Sequence, residues 1–257
     1  MAAPRQRRHR PYRSRRSRFG PLSKLLSVIA VIAAVVVACV VFFRVNHIEV
    51  EGNQRYSAQE IIDASGIQLG DNLVALPRGR IASNILSRLP YVEGVVPRRA
   101  LPDGVVLVVT ERTAAASVDT GEGRWLISAQ GKLLEPETGA GEQVTAITGL
   151  TALAPMPGAS MQVSGEEQAA LGYVLELMAA IQENGSMGDY ASIDCTHAAY
   201  IGAERGIYHI RFPRGGDYDY CLRLLNAALA SDQMPQNTPG TLDLTIEEGR
   251  VHFIQDK

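Results

Sequence analysis

The chain has 257 residues, 25 Lys+Arg against 27 Asp+Glu, and 46% hydrophobic residues, a balance that suits a folded chain rather than a disordered one. Three cysteines in that length exclude a disulfide-stapled scaffold. The formal net charge of −2 averages two unlike segments: residues 1–44 hold ten Lys+Arg and no acid, which leaves 15 Lys+Arg against 27 Asp+Glu, net −12, for residues 45–257.

The basic residues come first. Arg5, Arg7, Arg8, Arg10, Arg13, Arg15, Arg16, Arg18 and Lys24 precede an uncharged apolar run that starts at Leu25 and ends at Phe43. As a helix that run rises roughly 28 Å, enough to cross a hydrocarbon core. A transmembrane helix in contact with membrane lipid is therefore expected over residues 22–44. Lys and Arg accumulate on the cytoplasmic side of a span, so the tail is expected inside and everything after Arg44 outside. Arg, Ser and Pro without apolar periodicity cannot offset chain entropy, so residues 1–21 are expected to be disordered. Two rivals are weighed. A cleaved signal peptide wants small residues where this chain has Phe42, Phe43 and Arg44. A lipoprotein signal fits Val36-Val37-Ala38-Cys39 loosely, but the chain stays apolar after Cys39, which reads most simply as a small apolar residue.

The outer segment opens with alternation at residues 45–51, a strand closed by Gly52-Asn53. Ser57 and Glu60 form a capping box, followed by a short helix with Ile61, Ile62 and Ser65 inward and Gly66 at its C-terminal end. Pro77 suits a first helical turn, and Ile81, Ile85, Leu86 and Leu89 make an apolar stripe that Pro90 ends. Strands at 92–100 and 105–110, joined by a turn at 101–104, complete the order β-α-α-β-β.

Beyond it, residues 124–135 read as a hairpin and 146–150 as a short strand. Residues 166–182 read as a helix with Leu171, Val174, Leu175, Met178 and Ile181 on one face. Strands follow at 190–196, 199–203 and 207–212. A second helix over 218–230 places Cys221, Leu222, Leu225, Ala228 and Leu229 inward. Strands at 241–246 and 250–254 end the chain. Leu242, Leu244 and Ile246 alternate with Thr241, Asp243 and Thr245, which implies one packed and one wet face. The fold class is α+β.

No catalytic constellation emerges. Cys195-Thr196-His197 puts a thiol and an imidazole on one side of a strand, yet no further ligands cluster with them, so a strand end beside a loop is the expectation. His209 and His252 stand singly in strands. Asp63, Asp71 and Glu60 flank a helix and a turn, where acids cap and solvate. Gly70-Asp71-Asn72 lacks the Lys of a phosphate loop. No enzyme activity, cofactor, metal, nucleic acid or small-molecule substrate is expected. A scaffold made of sheet points instead to its edges, where unpaired amides and carbonyls offer a ladder to another chain.

Ile48-Glu49-Val50-Glu51-Gly52-Asn53, Leu89-Pro90-Tyr91-Val92, Leu101-Pro102-Asp103-Gly104 and Val108-Val109-Thr110-Glu111-Arg112, in that β-α-α-β-β order, resemble a POTRA domain. One copy behind a single N-terminal span resembles the FtsQ/DivIB family of bacterial cell-division proteins. The hairpin from Trp125 to Gly131, Ile147-Thr148-Gly149-Leu150 and the terminal Gly240-Thr241-Leu242-Asp243-Leu244 resemble that family's second, β-rich domain. The chain departs from the family at Thr113-Ala114-Ala115-Ala116, where a Pro and a small apolar pair are common. The resemblance implies a basic tail at 1–21, a span at 22–44, a POTRA domain at 45–113 and a β domain at 114–257. It also implies a single-pass protein at the division septum that recruits FtsB (DivIC) and FtsL without catalysis. Carried over by position, the partner-binding residues are Ile246, Glu248, Gly249, Val251 and Phe253. On the residues alone, Phe253 completing the core is an equal reading, and a family arginine earlier in the domain has no clear counterpart here. Alternatives are a POTRA-bearing ring component of a secretion or sporulation complex, and a membrane-anchored envelope-assembly chaperone or enzyme.

Overall fold

A computed structural model describes residues 20–139, 144–185, 187–231 and 238–256. Of the basic tail expected to be disordered at 1–21, residues 1–19 lie outside the described residues and Gly20 and Pro21 begin a helix instead; the reading of the Cys39 side chain also lies outside the described residues. The fold is mixed α and β, and it falls into two compact units. One takes the chain up to His47 with Gln68–Leu76 and Arg99–Val105; the other takes Ile48–Ile67, Pro77–Arg98 and Val106–Lys257.

In the first unit, α1 runs Gly20–Phe42 with Leu22 and each following side chain through Ala38 exposed. Among the described residues no helix is long and apolar enough to cross a membrane. The side chains described on α1 cover the expected apolar run only in part. Immediately after α1 the backbone is tied to two loops. The amides of Leu73, Val45 and Asn46 donate to the carbonyls of Phe43, Asp71 and Asp103 at 2.9, 2.9 and 2.8 Å. Val45 and Leu73 are fully buried there.

The order β-α-α-β-β is observed, mostly within the second unit, with His47 and the segment Arg99–Val105 falling in the first. It consists of β1 His47–Glu51, α2 Ala58–Ser65, α3 Arg78–Arg88, β2 Val92–Ala100 and β3 Gly104–Glu111, with the strands ordered β1-β3-β2. The capping box forms as expected: the Ser57 hydroxyl accepts from the Glu60 amide, and the Glu60 carboxylate accepts from the Ser57 amide at 2.8 Å. Gly52, at φ +84°, ends β1 where a Cβ would collide with the Val109 carbonyl, so only glycine fits. The stripe on α3 is narrower than expected. Ile81 and Ile85 are buried, while Leu86, one helical step further round, is 39% exposed.

The remaining elements are β4 Ala116–Asp119, β5 Arg124–Ile127, β6 Leu133–Pro136, β7 Thr145–Thr151, α4 Gln168–Asn184, β8 Ser192–Asp194, β9 Tyr200–Arg205, β10 Tyr208–Pro213, α5 Tyr218–Leu229, β11 Gly240–Asp243 and β12 His252–Gln255. Their strands form one sheet in the order β12-β11-β10-β9-β8-β7-β4-β5-β6. β4 carries no alternation to read, because Ala116, Ser117 and Val118 are all buried between β5 and β7. Two parallel joins, β7 with β8 and β10 with β11, are bridged by α4 and α5, which pack on each other. One apolar row crosses the sheet beneath the helices: Ile147, Ile193, Ala203, Ile210, Leu242 and Phe253 stand in register on six adjacent strands. Its members other than Phe253 are at most 3% exposed. That row is the spine of the core, and its last rung lies on the sheet's edge strand.

Candidate partner-binding edge

Among the described residues β12 lies at one end of the sheet and pairs only inward, with β11, in antiparallel register: Gly240 with Gln255, Thr241 with Ile254, Leu242 with Phe253 and Asp243 with His252. The Asp256 amide donates to the Pro239 carbonyl at 3.3 Å, which fixes the phase of the ladder. In an antiparallel pair alternate residues aim both backbone groups at the partner. Even-numbered residues of β12 therefore bond to β11, and the amides and carbonyls of Phe253 and Gln255, with the carbonyl of Val251, point away from the sheet. That row of free donors and acceptors is what an incoming strand needs.

The side chains on this edge divide by face. The Phe253 ring turns toward the core, half-buried, with its centroid 6.5 Å from that of Tyr208 in an edge-to-face pair. Gly240 makes room for it, since a Cβ there would sit 2.5 Å from the Phe253 ring and 2.7 Å from the Ile254 carbonyl oxygen. Val251 also packs against the core. Ile254, on the opposite face, is 46% exposed.

β11 is shorter than expected, and the reason is local. The Asp243 carboxylate accepts from the Thr245 amide at 2.8 Å and from its hydroxyl at 2.6 Å, which turns the chain out of the strand. The wet face expected for Thr241 and Asp243 is also corrected. Both residues are buried, with the Arg211 guanidinium 3.2 Å from the Asp243 carboxylate. Burial pushes the Asp243 carboxyl up, but the Thr245 hydroxyl and amide and the Arg211 guanidinium outweigh it and leave the group below the ordinary carboxylate range.

Of the five residues expected to bind a partner, Val251 and Phe253 supply free backbone on or beside the edge strand. Ile246, Glu248 and Gly249 fall in the turn that follows Asp243. Ile246 is 57% exposed, and Glu248 and Gly249 line an open groove against Tyr220, Cys221 and Leu224 of α5. The structure thus separates the five into an edge pair and a turn group. Gln255 is the residue that sequence reasoning missed. Its free amide and carbonyl follow from the ladder phase, a property of pairing that no alternation of side chains reveals.

Elsewhere the sequence candidates come apart. The Cys195 thiol is buried in the core, and burial, with Asp194 nearby, pushes it up to about 12. His197 lies outside, 3.6 Å from Asp194 and stacked on Tyr200. A protonated buried thiol is inert. His209 and His252 each face a glutamate at 3.7 Å. Among the described residues no three His, Cys, Asp or Glu are grouped to hold a metal ion. The arrangement at β12 can pair with a strand.

Comparison with known proteins finds similarity to cell-division proteins. Residues 43–112 match the FtsQ-type POTRA domain family. The cell division protein DivIB of Clostridium acetobutylicum is 33% identical over 94 residues, 37% of this chain and 37% of that protein. The cell division protein FtsQ of Corynebacterium glutamicum is 33% identical over 93 residues, 36% of this chain and 41% of its own length. FtsQ of an Anaeromyxobacter species is 32% identical over 132 residues, 48% of this chain and 44% of that one. The chain spans less than half the length of each of these relatives.

Proposed function

We propose that this chain, a member of the FtsQ/DivIB family of cell-division proteins, is a non-catalytic scaffold of the bacterial division machinery, anchored in the cell membrane by residues 22–44. The reading keeps the basic tail of 1–21 in the cytoplasm. It sets a POTRA domain at 45–113 and a β domain at 114–257 outside, concentrated at the division septum. Its partners are the single-span division proteins FtsB (DivIC) and FtsL. Charge asymmetry supports the topology: ten basic residues and no acid fall before residue 45.

One observation carries the partner reading, namely that among the described residues β12 is the sheet's end strand and the backbone groups of Phe253 and Gln255 point outward along it. A partner strand adding there completes the ladder, with Ile246, Glu248 and Gly249 flanking it from the turn. The test uses the least disruptive change at that edge. Gln255→Pro removes one free donor and no bond to β11, a substitution that edge strands tolerate. Co-purification of the full chain with the FtsB/DivIC–FtsL pair is expected to fall at least about tenfold in Gln255→Pro and to persist in Gln255→Ala. Undiminished binding by both variants contradicts the reading.

A further inference from the structure

The first unit carries a surface that partner pairing at β12 does not use. Leu69, Val74 and Leu101 are 70%, 51% and 69% exposed, and all three stand on the two loops that the backbone ties to residues 43–46. Single exposed apolar side chains are ordinary. Three on adjoining loops, anchored beside the exit of an apolar helix, are a pattern. Val45 lies three residues beyond the end of α1, a reach of at most about 11 Å for extended chain, and it exchanges backbone hydrogen bonds with Gly70 and Asp71.

The loops are held in place. Asn72 accepts from the amides of Val74 and Ala75 at 2.9 and 3.1 Å, and Arg99 donates to the Val74 carbonyl at 2.6 Å. The two acids nearby are engaged internally, Asp71 by the Gln68 amide and Asp103 by the Asn46 side chain. Arg44 and Arg99 remain as cations in the same unit, a sign that suits lipid phosphates.

We propose that the loops Gln68–Leu76 and Arg99–Val105 form a foot on the bilayer, with Leu69, Val74 and Leu101 set into the interfacial layer around the exit of α1. This rests on the reading of α1 as a membrane span. The occupant is the lipid surface because the apolar tips adjoin the run that enters it, and rigid loops set their depth. The foot fixes the height and tilt of the first outer residues where they leave the membrane.

Tryptophan quenching in the full chain tests it. Trp125, the single tryptophan, is replaced by Phe, and one Trp is placed at Leu69, Val74 or Leu101. Each protein is reconstituted into phosphatidylglycerol–phosphatidylcholine bilayers whose acyl chains are brominated near the headgroup. Ile32→Trp in α1 reports the span, and Leu153→Trp, at a site 48% exposed in the second unit, reports water. The three loop positions are expected to be quenched about twofold or more with blue-shifted emission, while Leu153→Trp is unaffected. If Ile32→Trp is quenched and the loop positions behave like Leu153→Trp, the span stands and the foot is wrong, leaving the patch to a protein partner. If Ile32→Trp is not quenched, the span reading fails and the foot falls with it.

Discussion

Asp243 decides where the terminal hairpin turns. Its carboxylate holds the Thr245 amide and hydroxyl, ends β11, and releases the stretch that contains Ile246, Glu248 and Gly249. Because its folded pKa is depressed, its stabilisation is full above the unfolded value near 4 and is lost as pH falls through the lower folded value. Asp243→Ala, which removes the acceptor of both Thr245 bonds, is expected to cost about 1–2 kcal/mol at pH 7, mostly through those bonds, since the Arg211 side chain is 40% exposed and its attraction is screened. Denaturant melts at pH 7 and near pH 3 check this; a gap between variant and parent that does not shrink at the lower pH refutes it. Gly240 is the second such residue. Gly240→Ala pushes into the Phe253 ring and is expected to lower stability by about 1–3 kcal/mol while loosening the edge strand first, which hydrogen exchange at residues 252–255 reads.

At the scale of elements, what was legible in the sequence depended on how local the cause was. The Ser57–Glu60 box, Gly66 and β2 follow from spacing over a few residues and stand as expected; on α4 and α5 Leu171, Val174, Met178, Ile181, Leu222 and Leu225 are buried as expected, while Leu175, Cys221, Ala228 and Leu229 are only half-buried. β4 was invisible because a strand covered on both faces has no alternation. The early end of β11 was hidden because side-chain period says nothing of an aspartate folding back on its own chain. The outward phase of Val251, Phe253 and Gln255 depends on register with β11. A second non-local link joins Arg55 and Tyr91 to Glu135 of β6. The Arg55 guanidinium lies 3.7 Å from the Tyr91 ring centroid and 2.7 Å from the Glu135 carboxylate, which also accepts from the Tyr91 hydroxyl at 2.6 Å. Burial and that bond hold the Tyr91 phenol well above its usual range. Tyr91→Phe and Glu135→Gln in a double-mutant cycle are expected to show coupling of about 1 kcal/mol. Strict additivity means the three groups are neighbours without being a unit.

At the scale of the whole molecule, the proposed function asks two separate things of the chain: that α1 enters a membrane, and that the end strand β12 accepts another chain. A secretion or sporulation ring component needs self-association of the outer segment, and an enzyme needs converging titratable groups. Cys195 and His197, a thiol and an imidazole two residues apart, diverge. The central claim is that a partner strand adds at β12. Residue-resolved amide exchange of the full chain, with and without the FtsB/DivIC–FtsL pair, tests it most directly. The account predicts that the amides of Phe253 and Gln255 slow at least about tenfold on binding, while those of His252 and Ile254, already bonded to β11, change little. Tight binding that leaves the two outward amides unprotected contradicts it.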